Sequence, residues 1–218
     1  MLGAKAIFDK RLGTDGRSIA LINHKETVDT LPLANATNLS MVLNGIGKVM
    51  DPENDVLVLF ITTHGAKKIL SVSFPRFSLN DISPTDLDEM LKASQIKNKV
   101  LIVSACYSGS FIPDLADKDT LIMTASDAEN PSFGCSNERK WTYFGDALFN
   151  HALRTTRSLP EAFNAAKATI KTWETEQKLI ASNPQMSVGS DIGKKLQAFV
   201  GNIEEVASVK SETPIEVE

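Results

Sequence analysis

Cysteine is scarce in this chain: two residues in 218, Cys106 and Cys135, and no C-x-x-C pair. That excludes a disulfide framework and leaves each cysteine to be explained singly. Histidine is almost as rare. His24, His64 and His151 stand far apart with no H-x-x-x-H, so neither a metal site nor a cofactor is expected. Long apolar runs are missing: the longest, Val56 to Ile61, has six residues, against the roughly 20 of a membrane-spanning helix. The opening MLGAKAIFDKR has no apolar stretch of signal-peptide kind. As written, the chain is therefore expected to be cytoplasmic, unless an upstream segment carries a signal or anchor. The body also lacks an excess of either charge. From Gly201 onward five acids accompany one base, which accounts for the whole net charge of −4, and the preceding residues carry 22 bases and 22 acids. A neutral body without a Lys/Arg cluster argues against nucleic-acid binding. Residues 1–200 are expected to form one domain and residues 201–218 an acidic, disordered tail. G-I-G at Gly45 to Gly47 sits inside a helical pattern instead of following a strand, which makes it a poor nucleotide loop. No repeat or low-complexity segment is present.

What is there reads as a globular α/β chain, 42% hydrophobic and 23% charged. Val56 to Ile61 (VLVLFI), Val100 to Val103 (VLIV) and Leu121 to Met123 (LIM) are near-continuous apolar runs, the pattern of strands covered on both faces. Ile19 to Ile22 (IALI) is expected to join the same sheet. Between them the period is helical. Ala4 to Leu12 reads as a helix ended by Gly13. Leu39, Val42, Leu43, Ile46, Val49 and Met50 share a face, with Asn38 as the expected N-cap. Ser83-Pro84-Thr85-Asp86 resembles a capped start, and Ser158-Leu159-Pro160-Glu161 a capping box opening a long helix. Alternating strands and helices predict right-handed βαβ units and hence a three-layer α/β/α sandwich with a mostly parallel sheet. Lys67 to Leu79 is expected to form a small β excursion. Ser126 to Thr142 is long, polar and irregular, and connections of that length, against a usual ~4–6 residues, tend to be functional.

Two strands end in reactive residues. D-V-L-V-L-F-I-T-T-H-G places His64 just beyond one apolar run, followed by Gly65; K-V-L-I-V-S-A-C-Y-S-G places Cys106 in the same position on another. The roughly 40 residues between them suffice for a parallel crossover. Neighbouring strands lie about 4.8 Å apart, so both side chains would emerge at the carboxyl edge of the sheet, where open α/β sheets carry their ligand sites. A thiol reacts as thiolate and needs a partner for its proton. An imidazole titrates near neutrality and can later protonate a leaving amine. The backbone N–H groups of Gly65 and Cys106 are candidate oxyanion donors, and a glycine after the histidine admits a close backbone approach. Spacing offers no third, orienting carboxylate. Taken singly, each residue has a plainer reading: a small buried hydrophobe for Cys106, a strand-end polar group for His64. Cys135 reads as a free thiol.

T-T-H-G at Thr62 to Gly65, S-A-C-Y-S-G at Ser104 to Gly109 and P-S-F-G-C-S-N-E-R-K-W-T-Y-F-G-D at Pro131 to Asp146 resemble the legumain-type cysteine peptidases of the caspase–hemoglobinase clan. The likeness runs from about Ser18 to Gly189 and is nearest the compact bacterial members. It implies a catalytic pair of His64 and Cys106, and a specificity pocket to which Ser104, Ser132 and Asp146 contribute. Legumain itself has a glutamate where Ser104 stands, and a serine removes that charged acceptor for an asparagine amide. Asp146 also has a reading from physics alone, as a helix N-terminal carboxylate. Family members open on a central strand, and none precedes the first helix here. An N-terminally shortened chain, with two sheet edges left unpaired and part of the pocket absent, is the expectation.

The function these features imply is a thiol endopeptidase acting on peptide or protein substrates through a thioester acyl-enzyme. The rivals are a transamidase and a catalytically silent binding or scaffold domain of the same fold. A flavodoxin-like nucleotide or response module would share the α/β pattern without explaining H-G or A-C. Oligomeric state is not encoded in these patterns.

Overall fold

The computed structural model describes residues 2–135 and 139–200; the tail expected at 201–218 lies outside the described residues. In chain order the larger elements begin with α1 (Leu2–Leu12), α2 (Ala36–Gly47), β1 (Leu57–Thr62), the two-residue strands β2 (Gly65–Ala66) and β3 (Ile69–Leu70), and α3 (Pro84–Ala93). β4 (Lys99–Ser104), α4 (Ile112–Leu115) and β5 (Thr120–Thr124) follow. A composite helix then runs through α5 (Tyr143–Gly145), a π-helical stretch Asp146–Ala152 and α6 (Leu153–Thr155). α7 (Leu159–Glu176) and β6 (Gln185–Val188) come next, and residues 190–200 are helical.

Four strands form the main sheet in the order β1-β4-β5-β6. β1, β4 and β5 are parallel, and β6 is an antiparallel edge. Side chains of a strand alternate between faces, and the two cores divide on that alternation. Val100 and Ile102 of β4 and Leu121 and Met123 of β5 pack with Phe144, Leu148 and Phe149 of the composite helix, Phe163 and Ile170 of α7, and Phe8 of α1. Leu101, Val103 and Ile122 face Leu39 and Leu43 of α2 and Leu87 and Leu91 of α3. Each fully buried side chain of this size contributes about 1.5–3 kcal/mol, so the predicted three-layer sandwich is held from both sides. No helix among the described residues is long and apolar enough to cross a membrane.

The helix starts follow cap chemistry, with two corrections. Ser83 caps α3 in a full capping box with Asp86, and Pro84 stands in its first turn. α2 starts earlier than expected: Asn35, not Asn38, is the N-cap, its side chain accepting from Asn38 N–H at 2.9 Å. Ser158 caps α7, but the box is half formed. Glu161 turns its carboxylate to the Thr156 hydroxyl, 2.9 Å away, instead of to Ser158 N–H.

The strand expected at Ile19–Ile22 is absent; these residues form no ladder, and Ile19 is 58% exposed. A strand needs a partner edge. Here a cavity of about 1480 Å³ is lined by both residues 18–23 and residues 54–63. Residues 18–23 are instead held locally, Ile22 N–H bonding Pro32 O at 3.0 Å and the Asn23 amide bonding both backbone groups of Ala34. β1 is thereby left as an edge: five of its six residues are half-buried, whereas every residue of β4 is buried.

Candidate active site

Register brings the two reactive strand ends together. Thr62 of β1 pairs with Ser104 of β4, and Thr63 N–H donates to Ser104 O at 3.2 Å. His64 and Cys106 therefore each stand two residues beyond the same rung, on adjacent parallel strands at the carboxyl end of the sheet. Gly65 makes the approach possible: a Cβ there would lie 2.7 Å from Cys106 O and 3.1 Å from both Ala105 Cβ and Ile69 O. A side chain of any size would push the two turns apart.

Beyond Cys106 the chain turns sharply. Tyr107 adopts left-handed φ 58° and leads into a 3₁₀ turn, Ser108–Phe111. Left-handed backbone in a bulky residue costs of order 1–3 kcal/mol. Here the surrounding bonds hold it: Tyr107 N–H donates to Asn130 O at 3.1 Å and Gly109 N–H to Ser126 O at 2.9 Å. The consequence is a half-buried thiol at the tip of a rigid strand. Its sulfur accepts from Ser132 N–H at 3.3 Å and from Ser132 Oγ at 3.7 Å, and its S–H donates to Ser132 O at 3.4 Å. The first two are contacts a sulfur anion would keep. Cys106 N–H donates to no acceptor among the described residues, which leaves it available to a developing oxyanion.

His64 is held differently. Its carbonyl accepts from Ser71 N–H at 2.9 Å and the neighbouring Thr63 hydroxyl donates to Ser71 O at 2.6 Å, so the backbone is clamped to the β excursion. The residue is exposed, and its imidazole makes no hydrogen bond among the described residues.

The three pocket candidates separate in space. Ser132 touches the Cys106 sulfur directly. Ser104 is fully buried; it shares the β4 face of Val100 and Ile102 and bonds Thr142 Oγ1 at 2.9 Å. Thr142 is the N-cap of the composite helix, accepting from Gly145 N–H. Asp146 lies in the first turns of that helix, where its carboxylate accepts from Asn150 Nδ2 at 3.0 Å. No hydrogen bond joins Asp146 to Ser104 or Ser132 among the described residues, so its surroundings match the helix-terminal reading.

One cluster escaped the sequence reading. Asp127 accepts from the backbone N–H of Glu129 and Asn130 and from the side-chain amides of Asn130 and Asn183. Burial pushes its carboxyl up, but the combined bonds from Glu129, Asn183 and Asn130 outweigh that and hold it below its ordinary value. This carboxylate fixes the start of the loop that carries Ser132. An Asx turn at S-D-A-E-N was the available signal. The large cavity is a different feature: Thr62 and Thr63 line it, but neither His64 nor Cys106 does. Among the described residues, no three His, Cys, Asp or Glu side chains are grouped to hold a metal ion.

Comparisons with known proteins bear on this geometry. The model of the Peptidase C13 family matches residues 33–194. Among solved structures the chain is similar to the crystal structure of caspase-1 from Spodoptera frugiperda. The TM-score is 0.57 and the identity 17%, over 86% of this chain and 77% of that one. At that identity the likeness establishes a caspase-like fold and nothing finer. No curated protein matches the sequence.

Proposed function

The chain belongs to the peptidase C13 family, the legumain-type cysteine peptidases, and from that premise we propose a cysteine endopeptidase in which Cys106 is the nucleophile and His64 the general acid and base. The observation that carries the reading is the shared rung, Thr62 opposite Ser104, which sets both side chains at one sheet edge.

The chemistry follows from the groups present. His64 takes the Cys106 proton as the sulfur attacks the scissile carbonyl carbon, forming a C–S bond and a tetrahedral oxyanion. The N–H groups of Gly65 and Cys106 are the proposed donors to that oxygen; a single such donor is worth roughly 10²–10³ in rate. Collapse breaks the C–N bond while the imidazolium protonates the leaving amine. Water, deprotonated by His64, then hydrolyses the thioester. Ser132, with its backbone N–H on the sulfur, and Ser104, behind it in β4, are proposed to border the specificity pocket, with Asp146 at its helical wall.

The test is brief exposure to a thiol-directed peptidyl electrophile near pH 6, followed by intact mass and peptide mapping. Cys106 is expected to label far faster than Cys135, and His64→Ala to abolish the difference. Equal labelling of the two cysteines would remove the peptidase reading. A second reading, a domain of the same fold that binds without turnover, draws on the exposed imidazole and the open edge of β1. Fast labelling without cleavage of any peptide in a mixed library would favour it. An amine added to the assay separates hydrolysis from transamidation by product mass.

A further inference from the structure

We propose that the cavity beside β1 is a docking site for an extended, apolar peptide segment of another chain, which enters it as an added strand of the main sheet.

The cavity lies in the plane of the sheet. Side chains of a strand alternate between faces, yet every residue from 54 to 63 lines it, so it runs along the edge of β1 instead of over one face. Residues 16–23, also consecutive, form the opposite wall. Phe8 and Leu12 line it from the side of α1, and Leu39, Leu43 and Ile46 from the side of α2. These side chains belong to the two separate cores that cover the sheet on its two faces. The slot is thus the space one more strand would fill. Size agrees: a strand residue takes about 3.3 by 4.8 by 10 Å, or about 160 Å³, so a cavity of about 1480 Å³ has room for roughly nine.

The edge of β1 supplies the bonds. Leu57 N–H donates to Asn98 O at 3.0 Å and Thr63 N–H to Ser104 O at 3.2 Å, and in a parallel ladder the residues facing one neighbour alternate with those facing the other. Val58, Phe60 and Thr62 therefore turn their N–H and C=O groups towards the cavity. None of these groups has a hydrogen-bond partner among the described residues. Three donors and three acceptors at ladder spacing suit another backbone. An acyl chain or a small apolar ligand would leave all six unmet.

The walls decide the side chains. Apolar groups close the slot from both layers, so the occupant carries a continuous uncharged run, like V-L-I-V in β4, and not an alternating one. The chain's own tail does not offer that: within residues 201–218 the longest run without a charged residue is residues 206–209. A second copy's β1 or β6 does not fit either, because a strand still paired in its own sheet would drive its neighbours into residues 16–23. The occupant is a segment free of its own fold, at a terminus or in a loop. β1 runs straight on to His64, so pairing its open edge also steadies the strand that carries the imidazole; that consequence rests on the reading of His64 as the base.

The experiment is residue-resolved amide exchange on the whole chain with a synthetic peptide of alternating valine and isoleucine. The peptide is six residues long, as β1 is, with lysines at each end and N-methyl groups on alternate residues. Those methyl groups block one edge, so the peptide cannot stack on itself, and leave the other free to pair. At saturation the amides of Val58, Phe60 and Thr62 should exchange at least about tenfold more slowly, and Cys106 should label about two- to tenfold faster. The same peptide methylated at every residue should protect nothing, and neither should dodecanoate. Val58→Pro removes one outward donor while sparing the β4 ladder, and should raise the peptide concentration needed by about tenfold. No protection at about 1 mM peptide, or equal protection by the fully methylated peptide or dodecanoate, would overturn the proposal. So would protection without peptide: if it grows with protein concentration a second copy fills the slot, and if it vanishes on removal of residues 201–218 the tail does. Exchange needs no turnover, so the docking site and the peptidase reading fail separately. Protection with unchanged Cys106 labelling keeps the site and removes its link to His64.

Discussion

Replacing Gly65 by alanine tests whether the close approach of the two turns sets the reactivity of Cys106. The new methyl would stand 2.7 Å from Cys106 O, 3.1 Å from Ala105 Cβ and 3.1 Å from Ile69 O. Two of these neighbours are backbone atoms, so no flexible side chain can yield; the turns must part by about half an ångström. Overpacking of this kind costs about 1–3 kcal/mol, and at about 2–4 °C per kcal/mol for a chain this size the melting temperature falls by about 2–12 °C. The kinetic cost is larger in proportion. A misplacement of 1 Å between reacting groups costs about 10²-fold, so labelling of Cys106 should slow by about 10- to 100-fold. The control is Gly45→Ala in α2, where a Cβ meets nothing within 4 Å and a helical glycine gives way to alanine with a gain of about 0.5–1 kcal/mol. Electrophile labelling and thermal unfolding on both variants separate stability from geometry. If Gly65→Ala labels within twofold of wild type, the contact between the turns is not what positions the pair.

Three further outcomes follow from the same contacts. Ser83→Ala removes the hydroxyl that accepts from Asp86 N–H at 3.2 Å and donates to its carboxylate at 2.6 Å; unfolding in urea should show a loss of about 1 kcal/mol at unchanged m-value. The Asp9 carboxyl is held down to about 2 by hydrogen bonds from Lys5 first and then from the Thr14 and Ser18 hydroxyls. A depressed carboxyl stabilises the fold above its unfolded value and ceases to as pH falls through its folded one. Wild type should therefore lose stability more steeply than Asp9→Asn between about pH 4 and pH 2, and parallel melting curves would refute the assignment. Finally, amide hydrogen exchange should be faster along β1 than along β4, since β1 is an edge with five half-buried residues; equal protection would mean that its open side is covered in solution.

Most of the sheet was legible because its strands are apolar runs bounded by turns, and the parallel order of β1, β4 and β5 follows from the crossover lengths. Ile19–Ile22 carries the same signal and failed for a reason composition cannot express: a strand is a relation between two edges, and a cavity lies between these residues and β1. β6, Q-M-S-V, escaped for the opposite reason. It is short and polar at both registers, half-buried or exposed throughout, and becomes a strand only because β5 offers it a free edge. His64 and Cys106 were legible as matching strand ends. The grip of Ser132 on the sulfur follows from loop geometry that the Asp127 carboxylate and the left-handed Tyr107 create, and neither leaves a periodic trace in the sequence.

The two halves of the proposed pair are not held alike, and the difference bears on mechanism. Cys106 follows β4, an inner strand buried along its whole length, and its sulfur has three contacts to one serine. His64 follows β1, which is paired on one side alone in the main sheet, and its exposed residue is clamped through its backbone. Part of the hydrophobic support for β1 comes through Phe60, whose ring meets Phe149 edge-on at 4.6 Å, and Phe60 is itself half-buried. If the pair acts as proposed, with the sulfur held by Ser132 and the imidazole held through its backbone alone, the rate is the more sensitive to whatever positions β1. Changes that loosen β1, such as Phe60→Ala, should therefore lower the fraction of molecules with His64 in reach of the sulfur while leaving Cys106 accessible. The signature is a slower labelling rate that retains its dependence on His64, whereas loosening β4 would disorder the thiol itself and abolish that dependence.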